Sequence, residues 1–328
     1  MATTDTSLRP GDWVEVKNLR EIAQTLSVDG SLDGLPFMPE MEEHCGKRFR
    51  IQRWAEKTCL ERPGGVYEVR EFLNNDVVLL DGLRCSGANH DGCQRLCMLF
   101  WKTAWLRKAD EPALALRQAP TSSDEAAITF KTKVSPQRYF CQSTELANAT
   151  LVGRLSPWKI IAKCYRDLRF GVVGATEMVG LVLMPLYRKI KDRLFGRVRL
   201  VGSLSRTPVG DLGLQAGDWV EIKSQKEMQE TLDTKGCNRG LVCDIELKKF
   251  CGKHYQVKSR LDRMISESTG EMRKVEATVI LEGNTCMCAR VLGGCPRADF
   301  CYWREIWLKP VSHSQRNVNH ELEVVESR

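Results

Sequence analysis

The chain has 328 residues, a net charge of +7 and the composition of a globular protein, and its length predicts about two domains. Its first residues lack an apolar stretch, which disfavours a secretory signal. Fourteen cysteines in a chain without such a signal favour metal ligands or buried thiols over a disulfide scaffold. We therefore expect a cytoplasmic protein.

One block of sequence occurs twice at a fixed offset. GDWVEVK at residues 11–17 recurs as GDWVEIK at residues 217–223, and CGK at residues 45–47 recurs at residues 251–253. This pattern predicts two globular units of common ancestry on either side of a middle segment of different character. The paired occurrence of Cys45 and Cys251 favours a structural role for these two thiols over a role as metal ligands.

Each copy shows the alternation of a β protein. Trp13, Val14 and Val16 lie around charged residues, and the apolar run at residues 77–80 is bounded by turn residues. Aromatic segments at residues 100–106 and 302–308 predict a closing strand with its tryptophans in the core. Short helices are predicted near residues 19–26 and 225–232. We therefore expect a mainly β protein with some helix, in which two SH3-like β-barrels are joined by a basic helical segment.

The expected organisation is a first barrel over residues 1–112, a linker over 113–153, basic helices over 154–200, a second barrel over 201–312 and a polar tail over 313–328. The linker contains YFCQSTEL at residues 139–146, the most unusual stretch outside the repeats. Its Cys141 is a candidate to reach a metal or to react, although nothing in the sequence positions it.

Soft metal-type donors are concentrated around one glycine-rich turn of the first copy. The candidate ligands are Cys59, Cys85, His90, Cys93 and Cys97. Because such a turn lets side chains converge, the pattern predicts a closed tetrahedral zinc site. An iron–sulfur cluster held by the four cysteines is the alternative, and a third interpretation is that these thiols are buried small hydrophobic side chains.

The second copy keeps some of these positions. Cys286 corresponds to Cys85, whereas His90 and Cys97 have no Cys or His counterpart. The candidate ligands of a second site, with a different geometry, are Cys286, Cys288, Cys295 and Cys301.

The middle segment carries the positive charge. Between residues 154 and 199, eleven Lys and Arg stand against three acidic residues, a surplus that exceeds the net charge of the whole chain. Ser156-Pro157 predicts the start of one helix, and a second is expected from about Thr176. The apolar stretch at residues 170–187 includes Glu177 and Pro185 and is flanked by positive charge, which disfavours a membrane span.

Three interpretations of the basic helices stay open. They pack between the barrels with solvated charges, or they lie on an anionic membrane surface, or they contact nucleic-acid phosphates. The candidate residues for contact with an anionic surface are Lys159, Lys163, Arg166, Arg169, Arg188, Lys189, Lys191 and Arg193.

Known catalytic motifs do not occur in the sequence. It has no Gly-x-Ser-x-Gly elbow, phosphate-binding loop, dinucleotide-binding turn or His-Glu-x-x-His. A non-catalytic protein is therefore the expectation, and an iron–sulfur or metal-dependent redox enzyme is the rival.

Three segments together resemble a bacterial protein family. GLPFMPEM at residues 34–41, CGKRFR at 45–50, and CPR at 295–297 followed by YWREIWL at 302–308 are similar to proteins with duplicated SH3-like barrels that are associated with polysaccharide and other biosynthetic gene clusters. The resemblance covers most of the chain. Because the family has no established activity, it implies context alone: an accessory or scaffold of a biosynthetic assembly with protein partners, at the inner face of the membrane. Family members have a histidine shortly before the counterpart of Cys295, where this chain has LGG at residues 292–294, which weakens a metal site in the second copy.

Overall fold

The computed structural model describes residues 8–62, 66–111, 130–153, 157–195, 200–286 and 296–311. Its contacts divide the chain into two compact units. The first comprises Met1–Ile190, Ile265–Arg273 and Met287–Asp299, and the second comprises Lys191–Met264, Lys274–Cys286 and Phe300–Arg328. The whole predicted polar tail and residues 113–129 of the predicted linker lie outside the described residues.

The described strands are β1 (Trp13–Val16), β2 (Ser31–Leu32), β3 (Leu35–Pro36), β4 (Arg48–Trp54), β5 (Lys57–Arg62), β6 (Val66–Phe72), β7 (Val77–Arg84), β8 (Met98–Lys102), β9 (Leu106–Lys108), β10 (Thr150–Val152), β11 (Trp219–Ile222), β12 (Cys237–Asn238), β13 (Leu241–Val242), β14 (His254–Arg260), β15 (Arg263–Ile265), β16 (Met272–Lys274), β17 (Thr278–Thr285), β18 (Phe300–Arg304) and β19 (Leu308–Pro310). The described α-helices are α1 (Leu19–Ala23), α2 (Leu146–Ala149), α3 (Pro157–Arg169), α4 (Ala175–Phe195) and α5 (Gln225–Gln229). Short 3-10 helices cover Pro39–His44, Thr103–Trp105, Ile245–Phe250 and Glu305–Trp307.

A curled five-stranded antiparallel sheet forms the centre of the first unit, in the order β8-β7-β4-β1-β9. Strand β1 pairs with β4 on one side and with β9 on the other, with Val14 opposite Phe49 and Val16 opposite Leu106. The side chains of Val14 and Val16 are fully buried, as the alternation of β1 predicts. The sheet is thus a half-barrel with one face on the core.

A second, three-stranded sheet in the first unit has the order β10-β6-β5. Strand β6 pairs with β5 along its whole length, so that Cys59 lies opposite Val69. Strand β10 pairs with the other edge of β6 and follows α2 directly in the chain. This sheet therefore links the β5–β6 hairpin to the segment after residue 139.

The second unit contains another curled five-stranded sheet, in the order β18-β17-β14-β11-β19. Here β11 pairs with β14 and β19, and a register irregularity between Val257 and Ser259 interrupts the pairing of β14 with β17. Strand β4 of the first unit has the same kind of irregularity, between Ile51 and Arg53. The two half-barrels therefore share their strand order and the place where a strand bends.

The predicted closing strands differ from the structure. Each is a strand, a turn of 3-10 helix and a second strand, because β8 and β9 lie on opposite edges of the sheet and the chain must cross between them. No Gly or Pro marks this turn, so the sequence pattern did not show it. The tryptophans are buried as predicted: Trp101 and Trp105 in the first unit and Trp303 and Trp307 in the second are fully inaccessible to solvent.

The helices of the middle segment begin close to the predicted positions. Helix α3 begins at Pro157 and α4 at Ala175, with Pro185 inside α4. Helix α1 is shorter than predicted, with Asn18 and Glu21 forming a capping box at its start. Within the described residues, none of the helices has the length and hydropathy needed to cross a membrane.

Candidate functional site

A small cavity lined by thiols lies inside the first unit. Its volume is about 30 Å³. Its wall includes four cysteines, one histidine and two arginines, which are Cys85, Cys93, Cys97, Cys141, His90, Arg95 and Arg297. Three of the four cysteines predicted as ligands in the first copy, Cys85, Cys93 and Cys97, therefore line this cavity. Cys141 from the YFCQSTEL segment lines it as well.

The loop between β7 and β8 places three of these cysteines. At its base the amide of Cys85 donates to the carbonyl of Cys97 at 2.8 Å, so the two ends of the loop are held together. Within it, the amides of His90 and Gly92 both donate to the carbonyl of Gly87 at 3.0 Å. The loop thus folds back on itself, as its glycine-rich composition predicts, and brings Cys93 toward the two ends.

The segment that carries Cys141 is fixed by the side chain of Gln142. Its amide nitrogen donates to the carbonyl of Phe100 at 2.8 Å, and its amide oxygen accepts from the amide of Phe100 at 2.9 Å. The side chain therefore bonds to the edge of β8 as a neighbouring strand would. The amide of Cys141 donates to the hydroxyl of Thr144 at 3.0 Å, which fixes the turn around the thiol.

His90 is held on both sides of its ring. Its Nδ1 lies 2.6 Å from Oε1 of Glu40, and its Nε2 lies 3.1 Å from the carbonyl oxygen of Phe140. Both nitrogens of this buried side chain are engaged with oxygen acceptors. In this arrangement His90 positions the loop, and it does not offer a nitrogen to a metal.

Cys59 lies beside the cavity on β5. It is buried, and its carbonyl oxygen accepts a hydrogen bond from Nη1 of Arg297 at 2.9 Å. Its thiol is not among the described side chains that line the cavity. Of the five candidate ligands from the sequence, Cys59 is thus absent from the lining of the cavity, and His90 lines it with both ring nitrogens engaged by oxygen acceptors.

A buried ionic network forms one wall of the cavity. The fully buried carboxylate of Glu267 is 2.8 Å from Nη2 of Arg95 and 2.8 Å from Nη2 of Arg297. Arg297 also pairs with Asp299 at 2.8 Å and donates to the hydroxyl of Ser143 at 3.1 Å. Burial acts to raise the pKa of Glu267, but the two guanidinium groups outweigh it and lower the pKa, so that the carboxylate is ionised.

Burial favours the protonated form of three thiols in the cavity, those of Cys85, Cys97 and Cys141. Burial raises the pKa of Cys85 well above the usual thiol value and also raises the pKa of Cys141. It raises the pKa of Cys97 to about 12, although Arg95 and Arg297 act in the opposite direction. A protonated thiol is a poor nucleophile. These three cysteines therefore lack the low pKa that a catalytic thiol needs.

The remaining cysteines do not form a second cluster that the structure describes. Cys286 follows β17 and Cys301 lies on β18, and both are half-buried. Cys288 and Cys295 lie outside the described residues. Among the described side chains, no group of three or more His, Cys, Asp or Glu has the geometry of a ready metal site.

The candidate residues for anionic contacts are partly engaged within the first unit. Lys163 forms a buried ion pair with Asp167, Arg166 pairs with Glu56, and Lys159 lies 3.2 Å from Glu71. Arg169, Lys191 and Arg193 are exposed, and Nη1 of Arg169 donates to the hydroxyl of Tyr165 at 3.1 Å. The side chains of Arg188 and Lys189 lie outside the described part of α4.

Sequence reasoning missed the residues that come to the cavity from distant parts of the chain. Arg95, Glu267 and Arg297 are three charged residues among many, and no local pattern singles them out. The peculiarity of the YFCQSTEL segment was the one available signal for Cys141. Comparisons of this chain with protein-family models, with curated proteins and with solved structures found no match.

Proposed function

We propose that this chain is a non-catalytic metal-binding accessory protein in which Cys85, Cys93, Cys97 and Cys141 hold a structural zinc ion. The observation that carries the proposal is that these four thiols line one small cavity inside the first unit. Four cysteines are a common ligand set for a closed structural zinc site. Cys141 takes the place that the sequence interpretation gave to Cys59 or His90.

The size of the cavity favours a single ion. A volume of about 30 Å³ accommodates an occupant of the size of a water molecule or a metal ion. An iron–sulfur cluster would require the walls to move further apart. Zinc is therefore the proposed metal, and an iron–sulfur cluster in a redox enzyme is the alternative that the experiment below separates from it.

The charges around the cavity suit thiolate ligands. Four thiolates around Zn²⁺ leave two negative charges in excess, and Arg95 and Arg297 in the cavity wall provide nearby positive charge. The thiols must lose their protons when the metal binds. Burial disfavours the charged thiolates, and the free energy of metal binding compensates for this cost. The affinity for zinc should accordingly increase with pH.

The half-barrels support a role in binding to other proteins. In both units the first strand of the five-stranded sheet lies between the next strand of that sheet and the last one, and a 3-10 turn precedes the last strand. This arrangement supports the proposal that each half-barrel is SH3-like. We attribute the shared order to duplication of one ancestral barrel. Together with the resemblance to proteins of biosynthetic gene clusters, this supports a scaffold of a bacterial biosynthetic assembly, with other proteins of that assembly as partners.

The test is elemental analysis and a visible spectrum of the full chain purified without oxygen. The expected result is a colourless protein with about one zinc per chain. Cys93→Ser should lower the zinc content and the melting temperature of the first unit. Cys251→Ser, a matched loss of one thiol in the second unit, should leave the zinc content unchanged.

Two results would overturn the proposal. Iron with acid-labile sulfide and absorption near ~400 nm would make the protein an iron–sulfur protein and favour electron transfer. Absence of any metal, with Cys93→Ser as stable as the wild type, would return the four thiols to the core as small apolar side chains.

A further inference from the structure

Helix α3 turns its apolar side toward solvent. Trp158, Ile161, Tyr165 and Leu168 follow one another at helical spacing along one face, and their exposed fractions are 79%, 57%, 61% and 42%. A helix on a globular protein normally buries such a face against the core. Here the large apolar side chains of α3 are the ones in contact with water.

The charged side of α3 faces the first unit instead. Lys163 and Asp167 pair with each other and are 5% and 2% exposed. Arg166 pairs with Glu56, and Lys159 with Glu71 of β6. Ion pairs therefore hold α3 against the first unit. In this orientation the apolar face of α3, here called the apolar stripe, is exposed to solvent.

Helix α4 also exposes apolar side chains to solvent. Val179, Leu183, Leu186 and Ile190 recur at helical spacing, and each is between 46% and 60% exposed. Met178 and Pro185 of the same helix are buried. Exposed Lys191 and Arg193 follow the apolar residues at the end of the helix.

We propose that the exposed faces of α3 and α4 bind to the surface of a bilayer that contains anionic lipid. The apolar residues would enter the headgroup region, where the amphipathic rings of Trp158 and Tyr165 are favourably placed. The exposed cations Arg169, Lys191 and Arg193 would face the negative lipid headgroups. This charge complementarity favours anionic lipid over a neutral bilayer, and the large apolar component favours lipid over nucleic acid, whose phosphates need charge alone.

This binding is independent of the metal site, because it uses none of the residues around the cavity. It also revises the role of the basic residues. Lys159, Lys163 and Arg166 pair with acidic residues of the first unit, which orients α3, and the apolar stripe carries the contact with the membrane.

Flotation of the full chain with lipid vesicles tests the proposal. Wild-type protein should float with phosphatidylcholine vesicles that contain about one third phosphatidylglycerol, and much less with phosphatidylcholine alone. Ile161→Glu, which places a charge in the stripe, should reduce the partition coefficient about tenfold or more. The matched control is Val209→Glu, because Val209 is 54% exposed and lies outside both helices.

A second measurement reports the position of α3 directly. Trp158 is far more exposed than the other seven tryptophans, which are buried or half-buried. Brominated lipids should therefore quench mainly Trp158 when vesicles bind. Trp158→Phe keeps an aromatic ring, so it should still float while the quenching disappears.

Several outcomes would overturn the proposal. These are absence of flotation at low salt, equal flotation of wild type and Ile161→Glu, and quenching that persists in Trp158→Phe. Salt-dependent retention on DNA or RNA without vesicle binding would identify a nucleic-acid surface. A dimer that Ile161→Glu dissociates, again without vesicle binding, would identify a second copy of the chain as the occupant.

Discussion

The imidazole of His90 and the carboxylate of Glu40 form a buried pair in which Nδ1 and Oε1 are 2.6 Å apart. Burial acts to lower the pKa of His90, but its hydrogen bond to Glu40 and the charge of that residue outweigh burial and raise the pKa. Burial likewise acts to raise the pKa of Glu40, and the hydrogen bond and charge of His90 reverse the effect. With the carbonyl of Phe140 at Nε2, a protonated ring donates from both nitrogens.

This pair predicts that His90 is needed for stability and not for metal binding. His90→Gln leaves the charge of Glu40 buried without a cationic partner, so we expect a loss of about 3 kcal/mol in the free energy of unfolding. The zinc content after refolding or mild purification should stay near that of the wild type. Urea unfolding and elemental analysis measure the two quantities. His254→Gln is the control, since that side chain and its Glu221 partner are partly exposed and should contribute little.

Loss of zinc in His90→Gln with unchanged stability would instead make His90 a ligand, as the sequence pattern allowed.

A comparison of two buried cysteines separates the ligand set in the sequence from the one in the structure. Cys59 and Cys141 are 7% and 8% exposed, so replacement by serine removes a similar buried thiol in each case. We expect Cys141→Ser to lower the zinc content strongly and Cys59→Ser to leave it unchanged, because only Cys141 lines the cavity. Elemental analysis of the two variants side by side is the measurement. The opposite order of zinc contents would restore Cys59 as the fourth ligand.

The ligands predicted from the sequence differ from the cysteines that line the cavity, and this difference shows which contacts could be predicted. The alternation in β1 and the apolar run of β7 predicted the sheets, because a period of two residues is a local property of a strand. The loop from Cys85 to Cys97 was likewise local, and its three cysteines do meet at the cavity. Cys141 reaches the same cavity through the hydrogen bonds of Gln142 to β8, which are contacts between distant segments that no spacing rule encodes.

The sequence also did not predict which side of α3 packs against the first unit. Its apolar residues recur at helical spacing, which predicts a helix with an apolar side but not what covers that side. The buried pair of Lys163 and Asp167 faces the first unit, and Glu56 and Glu71 elsewhere in that unit bind other cations of α3. The orientation therefore depends on acidic partners that are distant in the sequence.

The carboxylate of Glu267 should contribute strongly to the stability of the first unit. Glu267→Gln removes the negative charge between Arg95 and Arg297 and leaves Asp299 as the acidic partner of both buried guanidinium groups, which costs about 3 kcal/mol. Urea unfolding, followed by tryptophan fluorescence, measures the change. Glu282→Gln is the control, because Glu282 pairs with Lys258 at 3.0 Å on an exposed surface, where such a pair contributes less than about 1 kcal/mol. Similar effects of the two substitutions would show that the buried network is not stabilising.

Acid should remove the contribution of Asp33 to the stability of the fold. Burial acts to raise the pKa of Asp33, but the hydrogen bond and charge of Lys102, whose Nζ lies 2.8 Å away, outweigh burial and lower the pKa below 3.8. A carboxyl group with a lowered pKa stabilises the fold above its unfolded pKa, and this stabilisation is lost as the pH falls through its folded pKa. Asp33→Asn should therefore reduce stability by about 1 kcal/mol at neutral pH and have little effect well below pH 3.8.

Thermal melts of wild type and Asp33→Asn across that pH range measure the difference, with the exposed Asp81→Asn as control. A difference in melting temperature that stays constant into acid would show that the ion pair with Lys102 is not its source.

A comparison of two glycines tests the packing of the cysteine loop. Gly87 and Gly82 have similar positive φ angles, +69° and +74°, so alanine at either position incurs a similar backbone strain of about 1 kcal/mol. A Cβ atom at Gly87 would clash with the carbonyl oxygen of Cys93, whereas one at Gly82 would meet none of the described atoms within 4 Å. Because the obstacle at Gly87 is backbone, the loop must move and displace Cys93 from the cavity.

We therefore expect Gly87→Ala to lower the melting temperature much more than Gly82→Ala and to lower the zinc content as well. Gly82→Ala should retain the zinc of the wild type, since it lies on β7 before the loop begins. Calorimetry and elemental analysis of both variants measure these effects. Equal melting temperatures would mean that the loop accommodates a methyl group at Gly87. A lower melting temperature without loss of zinc would mean that the position of Cys93 is not what limits metal binding.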